Sequence, residues 1–336
     1  MRVHPTVSPR LAVIAFAALA ALAPAVALAH GQDAPKPSFS VLLTRWEFDP
    51  LFILGAGGSS WWYIATLRTV NRNHPTAPWP KKRTTYFFLG VGTMAFAVMS
   101  PPASYDGVLF SVHMWQHIII MMISAPLLLL GTPITLLLRS VSSKTRREVL
   151  IPLLHSGPVR VITFPVLSWL LFTVTLWGSH YSPLFNAALE HEWLHWLEHF
   201  MYVGAALMFW WQAIGVDPTP WRMPHPVRIL YLFLQMPQNT FLALSIYDAN
   251  HVLYNHYETT LRTWGPSPLG DQQLAGITMW VLGDILFLTA TGIVAAGWLK
   301  HEEREGKRQD RILARQRAAA AAAKALRTET GEGAGG

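Results

Sequence analysis

The amino-acid sequence predicts an all-α fold: a polytopic membrane helix bundle of about seven transmembrane helices that follows a cleaved signal peptide. Hydrophobic residues make up 51% of the 336 residues and charged residues only 13%, about half the charged share of a soluble domain. Apolar runs long enough to cross a bilayer, roughly 18 residues or more, recur along the chain. The N-terminus is organised like a secretory leader.

Residues 1–29 are predicted to be the signal peptide. Arg2 and Arg10 precede an apolar Ala/Leu segment that ends in the small-residue sequence Ala-Leu-Ala at 27–29, a typical cleavage site. Cleavage there leaves His30 at the mature N-terminus, outside the cytoplasm. An uncleaved first helix is the alternative.

Three regions are predicted to follow this leader: a short periplasmic N-terminal segment at 30–49, a seven-helix transmembrane domain at 50–298, and a cytoplasmic, charged, Ala-rich tail at 299–336. The seven apolar stretches of the domain are 50–69, 84–101, 108–138, 160–178, 193–213, 228–248 and 274–298. The third is longer than a bilayer requires. We therefore expect it to tilt, to kink at Pro126, or to end in a re-entrant stretch near Pro133.

The distribution of Lys and Arg predicts the orientation of the bundle. With the mature N-terminus outside, only Lys36, Arg45 and Arg262 of the mature chain lie outside. The basic residues of the inside loops are Arg68, Arg72, Lys81, Lys82, Arg83, Arg139, Lys144, Arg146, Arg147, Arg160, Arg222 and Arg228, and those of the tail add to them. This asymmetry satisfies the positive-inside rule. The net charge of +7 is therefore a topology signal and does not indicate nucleic-acid binding.

This orientation places most histidines on the outer side of the membrane. The outer set is His30, His113, His117, His180, His191, His195, His199, His251 and His256. The inner set is only His74, His155, His225 and His301. Because the histidines did not enter the choice of orientation, their asymmetry is independent information about where a functional site lies.

Two histidine pairs at helical spacing form the predicted metal site. His113 and His117 lie near the outer end of the third stretch, and His195 and His199 lie at the start of the fifth. Spacing of four residues places both rings on one helix face, about 6 Å apart along the axis. The chain has no cysteine, so histidine, methionine (Met99, Met114 and Met201 lie nearby), carboxylate or backbone oxygen must hold any metal.

Other functions remain open from the residues alone. His191, Glu192 and His195 form an H-E-x-x-H pattern, which is typical of zinc metallopeptidases. Glu198 or His199 would then be the third zinc ligand. Histidine pairs on two helices could equally hold a haem.

Asp284, in the seventh stretch, is a candidate residue of a transporter. The alternative is a structural Asp284 whose partner is a backbone group or a Thr hydroxyl on a neighbouring helix.

Several strings together resemble one family. The sequence His-Met-Trp-Gln-His at 113–117 runs into Ala-Pro-Leu-Leu-Leu-Leu-Gly-Thr-Pro at 125–133. His195 to His199 lead to a Trp pair at 210–211, and Asp-Gln-Gln-Leu-Ala-Gly opens the last stretch at 271–276, before Met-Trp at 279–280. Over residues 45–300 the chain is similar to the caa3-type CtaG family of multi-span cytochrome c oxidase assembly factors.

The resemblance implies a non-catalytic protein of the bacterial plasma membrane that is needed to mature a haem-copper oxidase of the respiratory chain. Copper is the expected metal, and cytochrome c oxidase subunits are the expected partners besides the lipid bilayer. The family's motif histidines correspond to His117, His195 and His199, and its acidic position corresponds to Asp271. His113 is added mainly by spacing, and His191 and His251 are secondary candidates.

Overall fold

A computed structural model describes residues 35–260 and 262–332, so the predicted signal peptide and His30 lie outside the described residues. Within those two ranges the chain is helical and contains no strand. The helices that we number are α1 (Phe39–Thr44), α2 (Pro50–Asn73), α3 (Lys81–Met99), α4 (Phe110–Ile118), α5 (Ala125–Leu130), α6 (Pro133–Ser140), α7 (Pro165–His180), α8 (Pro183–Glu190), α9 (Glu192–Ile214), α10 (His225–Tyr247), α11 (Asn255–Thr259) and α12 (Pro268–Glu332). Short helical turns at Ala103–Tyr105, Ser143–Thr145, Arg146–Leu150, Ile151–Leu154 and Gly157–Ile162 connect them.

Each of the seven predicted apolar stretches lies in or overlaps a helix, but not every such helix passes a simple test for a membrane span. Among the described residues, four segments are long and apolar enough to cross a membrane: Lys81–Tyr105, Phe110–Ser140, His225–Tyr247 and Pro268–Ala322. This is fewer than the seven spans predicted. Helix α7 has only 16 residues, and the glycines, serines and polar side chains of α2 and α9 lower their mean hydropathy. The chain is therefore a helical membrane protein with at least these four apolar segments.

The third predicted span contains an irregular segment. A π-helical stretch, Ile119–Ser124, joins α4 to α5, and Pro126 lies in the first turn of α5. Proline cannot donate a backbone hydrogen bond, so a widened turn just before it accommodates the missing donor. The indole Nε1 of Trp210, on α9, donates to the carbonyl oxygen of Met121 in this stretch at 2.8 Å.

A buried carboxylate holds the start of α6, which begins after Thr132 in a left-handed conformation (φ 51°). Asp217, in the loop after α9, accepts from the backbone N–H groups of Ile134 and Thr135 and from the Thr135 hydroxyl. Burial raises the pKa of the Asp217 carboxyl, and the hydrogen bonds from Ile134 and Thr135 oppose that rise. The contact replaces the missing intrahelical partners of the first turn.

Helices α10 and α12 form the most extensive packing contact of the bundle. A Cβ atom at Gly276 would lie 2.9 Å from the carbonyl oxygen of Ala243, and one at Gly283 would lie 2.5 Å from the Asn239 amide nitrogen. Glycine at these two positions lets the helix backbones approach closely, as is common between membrane helices. In the same contact, Asp284 accepts from the Thr240 hydroxyl at 2.8 Å, as expected of a Thr on a neighbouring helix, and from the Asn239 amide at 3.3 Å.

Candidate metal centre

The two predicted histidine pairs face each other across α4 and α9. Within each pair the ring centroids are 4.2 Å apart for His113 and His117, and 4.3 Å apart for His195 and His199. Between the helices, the rings of His113 and His195 are 5.7 Å apart and those of His117 and His199 are 5.9 Å apart. The four imidazoles thus form a compact histidine cluster, which the i,i+4 spacing alone could not establish.

The histidine cluster lies inside the protein. His113 is fully buried, His117 and His195 are nearly so, and His199 is half-buried. Phe185, on α8, closes the cluster with its ring 5.1 Å from that of His113. Removal of so many polar rings from solvent is unfavourable unless the rings bind something, because buried polar groups normally have hydrogen-bond partners.

Two carboxylates complete the cluster. Oε2 of Glu198 lies 3.9 Å from Nε2 of His113, and Glu198 with His113 and His117 forms a group whose ligand atoms all lie within 4.8 Å of one another. Asp106, in the turn before α4, forms a second such group with His113 and His195. Each group has the separation and the ligand types that a bound metal ion would bring together.

From the sequence we predicted Glu198 only as a ligand of a peptidase pattern, and we did not predict Asp106. Glu198 follows His195 by three residues and therefore lies on the same face of α9, a signal that the sequence does contain. Asp106 lies outside any long helix, and only the tertiary fold brings it to the histidines.

The strongest indication of a bound cation is a set of buried polar atoms that lack hydrogen bonds. Among the described residues, both ring nitrogens of His113, both of His117 and both carboxylate oxygens of Glu198 are buried without a hydrogen-bond partner. An unsatisfied buried polar group costs about 1–3 kcal/mol, and more if it is charged. Imidazole and carboxylate together are ligands that suit Cu, Zn or Fe, so the donor set fits a metal ion.

Asp271, which corresponds to the acidic position of the family motif, belongs to neither carboxylate–histidine group among the described residues. Its Oδ2 accepts from the backbone N–H of Phe110 at 2.6 Å, and its Oδ1 accepts from the Ser111 hydroxyl at 2.5 Å. Both oxygens are therefore occupied at the first turn of α4. Because His113 lies in that same turn region, Asp271 fixes the start of the helix that presents His113.

The secondary candidates His191 and His251 belong to neither carboxylate–histidine group among the described residues. His191 is exposed and has an extended backbone at the N-cap of α9, so it does not continue the helical face of His195. Within the described chain, neither His191 nor Glu192 belongs to a carboxylate–histidine group of metal-binding size. His251 is exposed and its Nδ1 lies 3.1 Å from the Asn250 side-chain oxygen.

A lateral groove of about 260 Å³ leads to the cluster between α2, α3 and α9. Its walls are mostly apolar, and they include Phe52 of α2, Met94 of α3 and Phe200 of α9. His199 also lines the groove, which explains why it is the least buried of the four histidines. The cluster is therefore closed on most sides and approachable at His199.

The fold and the site define a class of protein: a helical membrane protein with a buried cluster of histidines and carboxylates that suits a metal ion. Residues 61–301 match the family of cytochrome c oxidase caa3 assembly factors, Caa3_CtaG. The chain belongs to this family, as the resemblance of its motifs predicted.

Relatives of the chain occur in mycobacteria. It is 31% identical over 293 residues to uncharacterised proteins of Mycobacterium bovis and Mycobacterium tuberculosis, and 30% identical over 296 residues to one of Mycobacterium leprae. Each alignment covers 84% of this chain but only 43–44% of the relative, so the chain spans less than half the length of these proteins. No solved structure matches the chain.

Proposed function

We propose that the chain is a non-catalytic assembly factor that holds copper at the histidine cluster and passes it to a subunit of a haem-copper oxidase. The observation that supports this most strongly is the set of buried ring nitrogens and carboxylate oxygens of His113, His117 and Glu198 that have no hydrogen-bond partner among the described residues. Evolution of such a costly arrangement without a ligand would be unfavourable.

The ligand types and the family together favour copper. The chain has no cysteine, so thiolate coordination is excluded, and imidazole is a good ligand for copper. Membership of the oxidase assembly family supports copper over zinc as the ion carried, because the proposed client, a haem-copper oxidase, contains copper. Copper is here the cargo of the protein and not a permanent cofactor.

The bundle crosses the membrane seven times in this proposal, with the cluster near the outer face. Helices α7 and α9 expose large apolar side chains, such as Leu170, Val174 and Phe200, while their polar residues point into the bundle. This inside-out pattern fits contact with lipid. The positive-inside distribution supports an outer N-terminus and a cytoplasmic C-terminus in a bacterial plasma membrane.

Transfer of the ion requires a site that can open. The groove at His199 supplies such an approach, since it reaches one corner of the cluster while His113 remains fully buried. An oxidase subunit that docks beside α2 and α9 would meet His199 first. The ion would leave by exchange of this ligand before the buried ones.

Complementation tests the proposal in cells. In a strain that lacks the chain, the His113→Ala variant should reach the membrane at normal level but should restore at most about a tenth of the oxidase activity and oxidase-bound copper. The matched control is His225→Ala, because His225 lies at the start of α10, far from the cluster in the predicted topology. Full restoration by His113→Ala would contradict the proposal.

A further inference from the structure

A second, smaller cavity adjoins the histidine cluster and has a different chemistry. It encloses about 30 Å³ between α4, the π-helical stretch, α7, α10 and α12. Four of its lining residues are methionines: Met114, Met121, Met122 and Met279. All four are at most 9% exposed. We call this space the methionine cavity.

Two histidines also line the methionine cavity. His117 belongs to the histidine cluster as well, so it borders both spaces. His180, the last residue of α7, is 4% exposed, and among the described residues its Nε2 has no hydrogen-bond partner. His180 therefore contributes a buried imidazole that the proposed function does not use.

The hydrogen bonds of His180 determine which nitrogen can bind a ligand. Its Nδ1 lies 2.8 Å from the carbonyl oxygen of Leu176, which can only accept, so Nδ1 carries the proton in the neutral ring. The lone pair is then on Nε2. A ring nitrogen oriented in this way by a backbone carbonyl is the usual arrangement of a metal-binding histidine.

We propose that the methionine cavity is a second metal site, specific for a soft monovalent cation such as Cu(I), with ligands from His180 and the thioethers of Met114 and Met279, while His117 remains a ligand of the histidine cluster. Thioethers select Cu(I), whereas the imidazoles and carboxylates of the histidine cluster also suit Cu(II) and Zn(II). The volume fits one ion or one water molecule and excludes an organic ligand.

Several features of the methionine cavity together support a metal site. Methionine alone often fills irregular gaps in a core. Here four methionines and a ring nitrogen without a hydrogen bond line the same small space, and that space touches a second histidine with two such nitrogens. The proposal rests on the general assignment of metal handling but concerns different ligands and a different ion class.

X-ray absorption on the full-length protein in mild detergent tests the site without any mutation. The protein is loaded with Ag(I), which serves as a redox-inert substitute for Cu(I), after saturation of the histidine cluster with Zn(II). We expect one Ag(I) per chain to bind while zinc is retained, and the silver spectrum should show sulfur neighbours. A spectrum with only nitrogen and oxygen neighbours, or no silver uptake, would overturn the proposal and leave the cavity to a water molecule.

Matched leucine variants locate the site. Met114→Leu/Met279→Leu conserves volume and should lower Ag(I) affinity at least tenfold with zinc binding unchanged. Met208→Leu/Met236→Leu is the control, because these methionines pack against the core but do not line the cavity. Equal affinity in both double variants would contradict the assignment. If the unmodified protein binds silver but no zinc, that result contradicts the proposed function and still supports the silver site in the methionine cavity.

Discussion

Two buried carboxylates that contact α4 have the same exposure and opposite surroundings. Asp271 and Glu198 are each 1% exposed. Asp271 accepts hydrogen bonds from Phe110 and Ser111 through both of its oxygens. Glu198 has no hydrogen bond to either oxygen within the described chain, and its Oε2 lies 3.9 Å from Nε2 of His113.

The difference separates a structural acid from a proposed metal ligand. Asp271 supplies the acceptors that the free N–H groups of a helix start require, and it thereby stabilises the bundle. Glu198 and the imidazoles beside it destabilise the metal-free protein, because their desolvation is not compensated. Such a local conflict with stability is characteristic of functional sites. We therefore expect the two acids to respond in opposite ways to mutation.

The largest contrast is expected for Glu198→Gln. The amide keeps the shape of the side chain but removes the charge, so affinity for Cu(II) should fall about 10- to 100-fold, as for other groups that support a metal. The metal-free variant should unfold at a temperature a few degrees higher than the unmodified protein. Calorimetric titration and thermal unfolding in detergent measure the two effects. Unchanged copper affinity together with unchanged stability would refute the role of Glu198.

Asp271→Ala should show the reverse pattern. Loss of both oxygens leaves the N–H groups of Phe110 and Ser111 unsatisfied, which should lower the free energy of unfolding by about 1–3 kcal/mol. Asp217→Ala is the matched control, since Asp217 holds the start of α6 in the same way. Both variants should lose similar stability, but only Asp271→Ala should lower copper affinity, by a few fold, because α4 presents His113. If both variants bind copper with equal affinity, Asp271 does not support the metal site.

A smaller effect of the same kind is expected for Ser111→Ala. The change removes one hydroxyl that donates to Asp271 and leaves the contact from Phe110 in place. Stability should fall by about 1 kcal/mol, the usual contribution of one hydrogen bond. Thermal unfolding of this variant beside Asp271→Ala measures the difference, and a loss as large as that of Asp271→Ala would show that the Ser111 contact dominates.

His251→Ala should have the smallest effect. His251 is exposed and hydrogen bonded to its neighbour Asn250. Copper affinity and thermal stability should both match the unmodified protein. A loss of copper from this variant would restore His251 as a ligand and would contradict the geometry described above.

Helical periodicity made much of the fold and half of the site predictable. Each of the seven apolar runs lies in or overlaps a helix, and the i,i+4 spacing placed His113 with His117 and His195 with His199 on common faces. Periodicity could not show that the two faces meet. It also could not reveal the π-helical stretch at Ile119–Ser124, which depends on tertiary contacts such as the one from Trp210.

The acids and the second cavity show where sequence-based prediction fails. Asp271 matched the acidic position of the family motif, but its role depends on the helix start that lies beside it in space. Asp106 and His180 stand in unremarkable sequence surroundings, and only folding brings them to His113 and to the methionine cavity. A residue's type and spacing predict what it can bind, whereas its unsatisfied atoms indicate whether it does.

The most direct test of the central claim is the metal content of the purified protein in mild detergent, measured by mass spectrometry before and after addition of Cu(II), with a visible spectrum of the same sample. We expect about one tightly held copper per chain, its loss in His117→Ala, and its retention in His225→Ala. Zinc in place of copper would revive the peptidase hypothesis, and a Soret band would revive the haem hypothesis. Absence of any retained metal after copper loading would contradict the account.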